Sequence, residues 1–219
     1  MLGVREQGAC MDLLDAIYDV EQPRSSWLRG VLRAFAPFWD RGSGLGLVQY
    51  DVSRESPRIW GMDGVNISAS NIALGADTYA QARFAKAIQD CHRHQVCSTM
   101  REHMPDPEIY RAVRQRYERV GVVDQLLLNA NVSDQGCALY VFSDRKLCLG
   151  VAERRLATKL AQHWATAYRL QTRLEQTLLE RAYERVGPLH QQPVRGRKPE
   201  RAGTLSARER EVVTLARLG

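Results

Sequence analysis

The chain has 219 residues, 44% of them hydrophobic and 26% charged, with a formal net charge of +6. That composition fits a globular protein with one domain of ordinary size plus a short appendage, and excludes a disordered chain. No apolar run approaches the roughly 18 residues a membrane helix needs, and the N-terminal MLGVREQGACMDLL has no apolar stretch behind a basic start. A cytoplasmic, non-secreted protein is the expectation.

Five cysteines (Cys10, Cys91, Cys97, Cys137 and Cys148) form no framework spacing and suit reduced thiols. Residues 186–219 hold seven Lys/Arg against three Asp/Glu, a net of +4, which leaves +2 for the rest of the chain. The body is nearly balanced and the tail is basic.

Residues 12–20 place Leu13, Leu14, Ile17 and Tyr18 at helical spacing. A second helix is predicted over residues 27–36, with Trp27, Leu28, Val31, Leu32 and Phe35 on one face; Pro37 should end or kink it. RGSGLG reads as a turn, and residues 45–52 and 57–62 read as a strand hairpin joined through SRES. Gly42, Gly44 and Gly46 precede a strand instead of opening a helix, so they do not make a phosphate cradle.

Residues 76–92 return to a helical pattern through Tyr79, Ala80, Phe84, Ala87 and Ile88. Asp106-Pro107-Glu108 is a helix start, with Asp as N-cap and Pro at the first helical position; Gly121 suits the C-cap. Two strands follow, residues 122–132 and 136–143, joined by the turn-forming SDQ. A long helix over residues 151–185 carries Leu156, Leu160, Trp164, Ala167, Leu170, Leu174 and Leu178, and Gly187-Pro188 stops it. Hairpin strands with intervening helices predict an α+β fold, an antiparallel sheet with packed helices and a long exit helix.

The divisions expected are a sensor domain over residues 1–186, a basic linker over 187–203 and a capped helix within 204–219. Ser206-Ala207-Arg208-Glu209 is a capping box, followed by an apolar stripe of Val212, Val213, Leu215, Ala216 and Leu218. This segment resembles the opening of the LuxR-type helix-turn-helix of bacterial transcription regulators, matching at Leu205, Ser206, Arg208, Glu209, Glu211, Val212, Leu215, Ala216 and Gly219. A sigma-factor region-4 helix opens similarly, but the upstream domain does not look like a sigma core.

The resemblance covers only the first of that domain's helices, so no base-reading residue is carried over and no sequence-specific DNA binding is expected of these 219 residues. Weak, salt-sensitive phosphate contact is expected at Arg195, Arg197, Lys198 and Arg201.

A looser resemblance joins residues 138–170 to the end of GAF-like sensor domains, where a long helix carries a central His, here His163. The order of elements also suits a GAF or PAS-like fold. Such a sheet commonly cups a small molecule, which implies Tyr50, Trp60, Asn129 and Tyr140 as candidate lining residues; strand aromatics serve equally well as core. The Trp, Tyr and Asp spacing of acyl-homoserine-lactone binders is not found, so that ligand subclass is disfavoured.

The resemblance implies a signal-sensing regulator, and the exit helix, whose apolar stripe overhangs a compact domain, is expected to pair with a second copy. A stand-alone ligand-binding or heterodimerising module without DNA binding is the alternative. Cys91-His92-x-His94-x-x-Cys97, with His103 beyond, is the one metal-like cluster, but it lacks a converging second half, so no metal is assigned. No Gly-x-Ser-x-Gly, His-Glu-x-x-His or P-loop occurs. Neither enzymatic activity nor a cofactor is expected.

Overall fold

Apolar residues three and four apart build the first two helices in a computed structural model that describes residues 4–186, with side chains from 8 to 184. In α1 (Val4–Tyr18) Leu13 and Ile17 are buried, and in α2 (Arg24–Trp39) Trp27, Leu28, Val31, Leu32, Phe35 and Trp39 are buried. Pro37 lies in the last turn of α2, and the helix runs two residues beyond it before the Asp40 N–H closes on the Ala36 carbonyl at 3.0 Å. Pro37 has no N–H to give the Arg33 carbonyl, so it costs the last turn one helical bond without ending the helix.

The predicted turn at RGSGLG is instead the irregular start of strand β1 (Gly42–Asp51), with a register shift between Gly42 and Leu45. Gly44 has φ +79°, and a Cβ there would meet the Asn66 carbonyl oxygen at 2.3 Å, so only glycine fits. Asp40 holds this corner: its Oδ1 accepts the N–H groups of Gly42 and Gly44, and its Oδ2 accepts the Asn66 side-chain amide.

Next come β2 (Arg58–Val65), α3 (Ala69–Ala80), α4 (Ala82–His94), the short β3 (Cys97–Thr99) and α5 (Met100–His103). The single helix expected over residues 76–92 is therefore two, and the chain breaks at Gln81, which is extended (φ −84°, ψ 117°). Gln81 ends one helix with its N–H and begins the next with its carbonyl.

Asp106 caps α6 (Pro107–Glu118) as expected, its carboxylate accepting the N–H groups of Glu108 at 2.8 Å and Ile109 at 3.1 Å. Asp106→Ala is expected to lower stability by about 1 kcal/mol, read as a shift of the urea midpoint at unchanged slope. Strands β4 (Asp124–Val132) and β5 (Gln135–Ser143) form the second hairpin, with Ser133 at φ 58° in its two-residue turn. Helix α7 (Val151–Val186) closes the described chain.

The five strands make one antiparallel sheet in the order β2-β1-β5-β4-β3. Alternation along the central strands gives it two buried faces. Leu45, Leu47, Leu126, Leu128, Leu139 and Val141 share a core with α1, α2 and residues 157–168 of α7. Val48, Tyr50, Leu127, Ala138, Tyr140 and Phe142 face the other way, into a core shared with α3, α4, α5 and α6.

Two tryptophans hold the first core together. Trp27 and Trp164 lie 5.2 Å apart ring to ring, and their indole N–H groups donate to the carbonyls of Ile17 and Cys137. His163 is exposed on α7, its Nδ1 2.8 Å from the Tyr18 hydroxyl.

The described chain divides into two compact units with the boundary after Tyr168. In the second unit Leu170 is 44% exposed, while Leu174 and Leu178 are half-buried. Among the described residues no helix is long and apolar enough to cross a membrane. The basic residues Arg195, Arg197, Lys198 and Arg201, the linker and the capped terminal segment lie outside the described residues.

Candidate ligand-binding site

The strands of the second face bring Tyr50, Asn129 and Tyr140 together around a histidine from α4. Tyr50 stacks on His92 with 3.9 Å between ring centres, and its hydroxyl donates to Asn129 Oδ1 at 2.8 Å. The Asn129 amide donates in turn to the carbonyls of His92 at 2.8 Å and Gln95 at 2.9 Å. On the far side of the ring, His92 Nε2 pairs with the Tyr79 hydroxyl at 2.5 Å, and that hydroxyl lies 2.9 Å from the hydroxyl of Tyr140.

Gly136 stands opposite Tyr50 on β5, and a Cβ there would come within 2.4 Å of both the Ala130 carbonyl oxygen and the Tyr50 hydroxyl oxygen. Gly136→Ala is expected to push Tyr50 off Asn129 and to cost about 1–3 kcal/mol, measured by chemical denaturation, with loss of Tyr50 ring contacts to His92 in proton spectra.

Trp60 does not join this group. It is 47% exposed on β2, where Tyr50 pairs with Ile59 and Gln49 with Gly61, so Trp60 is the extra residue of a bulge on an edge strand. It therefore stands apart from the other three candidate lining residues.

His92 and Tyr79 carry no strand pattern and were absent from the sequence-derived set. His92 appeared only within the metal-like cluster, which comes apart in three dimensions. Cys91 and His92 are buried, His94 is exposed with its ring bonded to the Asp90 carbonyl, and Cys97 is half-buried on β3. Among the described residues no group of three His, Cys, Asp or Glu could hold a metal ion.

A second histidine sits nearby. Gln125 donates its amide N–H to His103 Nε2 at 3.1 Å, and His103 Nδ1 lies 3.3 Å from Ser98 Oγ. Burial pushes His92 down to about 3, helped by the neighbouring His103, and pushes His103 down to about 4. Burial also raises the phenols of Tyr50, Tyr79 and Tyr140 and the Cys91 thiol, and lifts Tyr117 to about 12. These groups are therefore all neutral near pH 7, and the site is suited to hydrogen bonding with an uncharged guest.

Two small internal cavities, each about 20 Å³, flank the Tyr79, Tyr117 and Tyr140 side chains that line both. Each has room for about one water. His92 Nδ1 and Gln125 Oε1 have no hydrogen-bond partner, and both residues line the first cavity; Asn71 Oδ1 is likewise unpaired, and Asn71 lines the second. Outside the first cavity lies a surface cleft of about 300 Å³ between α4 and the start of α6.

No known protein-family profile matches the chain, and no curated protein is significantly similar to it in sequence. Among solved structures it is similar to the VqsR LBD domain from Pseudomonas aeruginosa, with 15% identity and a TM-score of 0.49 over 78% of this chain and 97% of that one.

Proposed function

We propose that this chain is the sensing part of a LuxR-type transcription regulator. It takes up a small molecule between the sheet and α3–α6 and passes the signal through α7 toward a C-terminal helix-turn-helix. The observation that carries the reading is unmet hydrogen-bonding capacity beside internal space: His92 Nδ1, Gln125 Oε1 and Asn71 Oδ1 around two cavities. An unpaired buried polar atom costs about 1–3 kcal/mol, so the site favours a guest that supplies partners. The antiparallel sheet with helices on both faces agrees with a GAF/PAS-like sensor, and the terminal match from Leu205 to Gly219 suggests the regulator class.

A thermal-shift screen of the full chain tests it. A true ligand at 100 times its Kd is expected to add about 2.7 kcal/mol to the stability of the native state. That gain should shrink in Gln125→Leu. A chemically broad panel without a stabilising compound, or compounds indifferent to Gln125→Leu, would remove the reading. The same proposal has α7 joining two copies, and light scattering that shows a clean monomer at micromolar concentration would remove that part.

A further inference from the structure

The inner cavity and the surface cleft are separated by very little. The same two residues, His103 and Met104, line both, and they are 3% and 7% exposed. They lie where α5 ends and the chain turns toward α6, with Met104 in an irregular conformation (φ −124°, ψ 74°). Met104 is unbranched and polarisable, a side chain that changes rotamer at little cost.

We infer that the cleft is the outer half of a small-molecule site, entered past Met104, and that its occupant is an uncharged amphipathic molecule whose head both donates and accepts hydrogen bonds. This rests on the sensor reading above. The floor of the cleft is apolar (Ala87, Met104, Pro105 and Ile109), and its volume is at the lower end for small-ligand sites. Its rim carries Arg83, Lys86, Asp90 and Asp106, two charges of each sign, which select for neither anion nor cation.

Within the cavity, Gln125 gives an amide N–H to His103 while its Oε1 accepts none, and His92 Nδ1 is unpaired on the same lining. A hydroxyl or a primary amide satisfies such a pair. An ionised head would be stripped of water there with no opposite charge among the lining side chains.

The chain carries its own reporter. Cys91 lines the inner cavity, whereas Cys137 is fully buried on the opposite face of the sheet. The full chain is treated with methyl methanethiosulfonate at neutral pH, and modification at each cysteine is followed by mass spectrometry. If entry is local, Cys91 reacts about tenfold or more faster than Cys137, whose exposure needs wider unfolding.

Met104→Ala raises the Cys91 rate and Met104→Trp lowers it, and the Cys137 rate followed alongside reports any change in global stability. Hexanamide in excess lowers the Cys91 rate in the unsubstituted chain, and hexanoate, with the same tail and an ionised head, does not. Equal rates at the two cysteines, or a Cys91 rate indifferent to both substitutions, overturns the entrance. Equal protection by hexanoate, or none by hexanamide, overturns the ligand class. Loss of the sensor reading alone would instead leave the rate pattern in place while no natural compound stabilised the chain.

Discussion

Replacing Trp164 by alanine is expected to remove about 3–5 kcal/mol of stability. The indole is fully buried, packs at a tilt against Trp27 and Tyr168, and satisfies its N–H on the Cys137 carbonyl of β5. Truncation opens a cavity at the seam where α7 meets the sheet and α2, and leaves that carbonyl without the donor. Trp164→Phe keeps most of the volume and should cost markedly less. Urea denaturation of both variants measures the difference, and a loss below about 1 kcal/mol for the alanine variant would show that the seam collapses around the gap or contributes little.

Acidification is the second large effect. His92 and His103 are held neutral by burial at about 3 and about 4, against an ordinary value near 6.5 in the unfolded chain. Below pH 6.5 the unfolded state takes up protons that the folded state refuses, so stability falls as pH falls. It is fully present above the unfolded value and continues to drop until the folded values are reached. Between pH 7 and pH 5 the two histidines together remove about 4 kcal/mol, roughly 1.4 kcal/mol per pH unit for each.

The carboxylates held low in the fold, Asp40, Asp51 and Glu102, act in the same direction but only below the ordinary carboxylate range. His103→Gln keeps a polar group beside Gln125 and should halve the slope above pH 5. A flat stability profile from pH 7 to pH 5 would mean that the two rings are solvated.

Much of the scaffold is legible because its signals are local. Asp106-Pro107-Glu108 declares a helix start through the carboxylate that reaches the first free N–H groups. Ser133-Asp134 lies between two apolar runs and turns the hairpin. Tyr50, Asn129 and Tyr140 stand out as polar or aromatic residues at alternating strand positions, and the sheet gathers them on one face.

What was missed depends on distant partners. Trp60 looks like its neighbours along the chain, but a bulge on an edge strand decides its exposure. Gln81 breaks a helical pattern without a glycine or proline to announce it. The Thr99–Glu102 capping box that starts α5 was readable, yet a helix of four residues has too little periodicity to attract notice. His92 and Tyr79 become site residues only when α3 and α4 are laid on the sheet, since each is unremarkable on its own helix.

The amide of Asn129 ends on the carbonyls of His92 and Gln95, and that of Asn131 on those of His92 and Arg93. Those carbonyls belong to the C-terminal end of α4, where backbone acceptors ordinarily turn to water. Here two asparagines of β4 take water's place and rivet the helix end to the strand. Any swelling needed to admit a guest must then be accommodated elsewhere. With the entrance proposed past Met104, that leaves the segment from α5 into α6 as the side that gives, while the β4 side stays fixed.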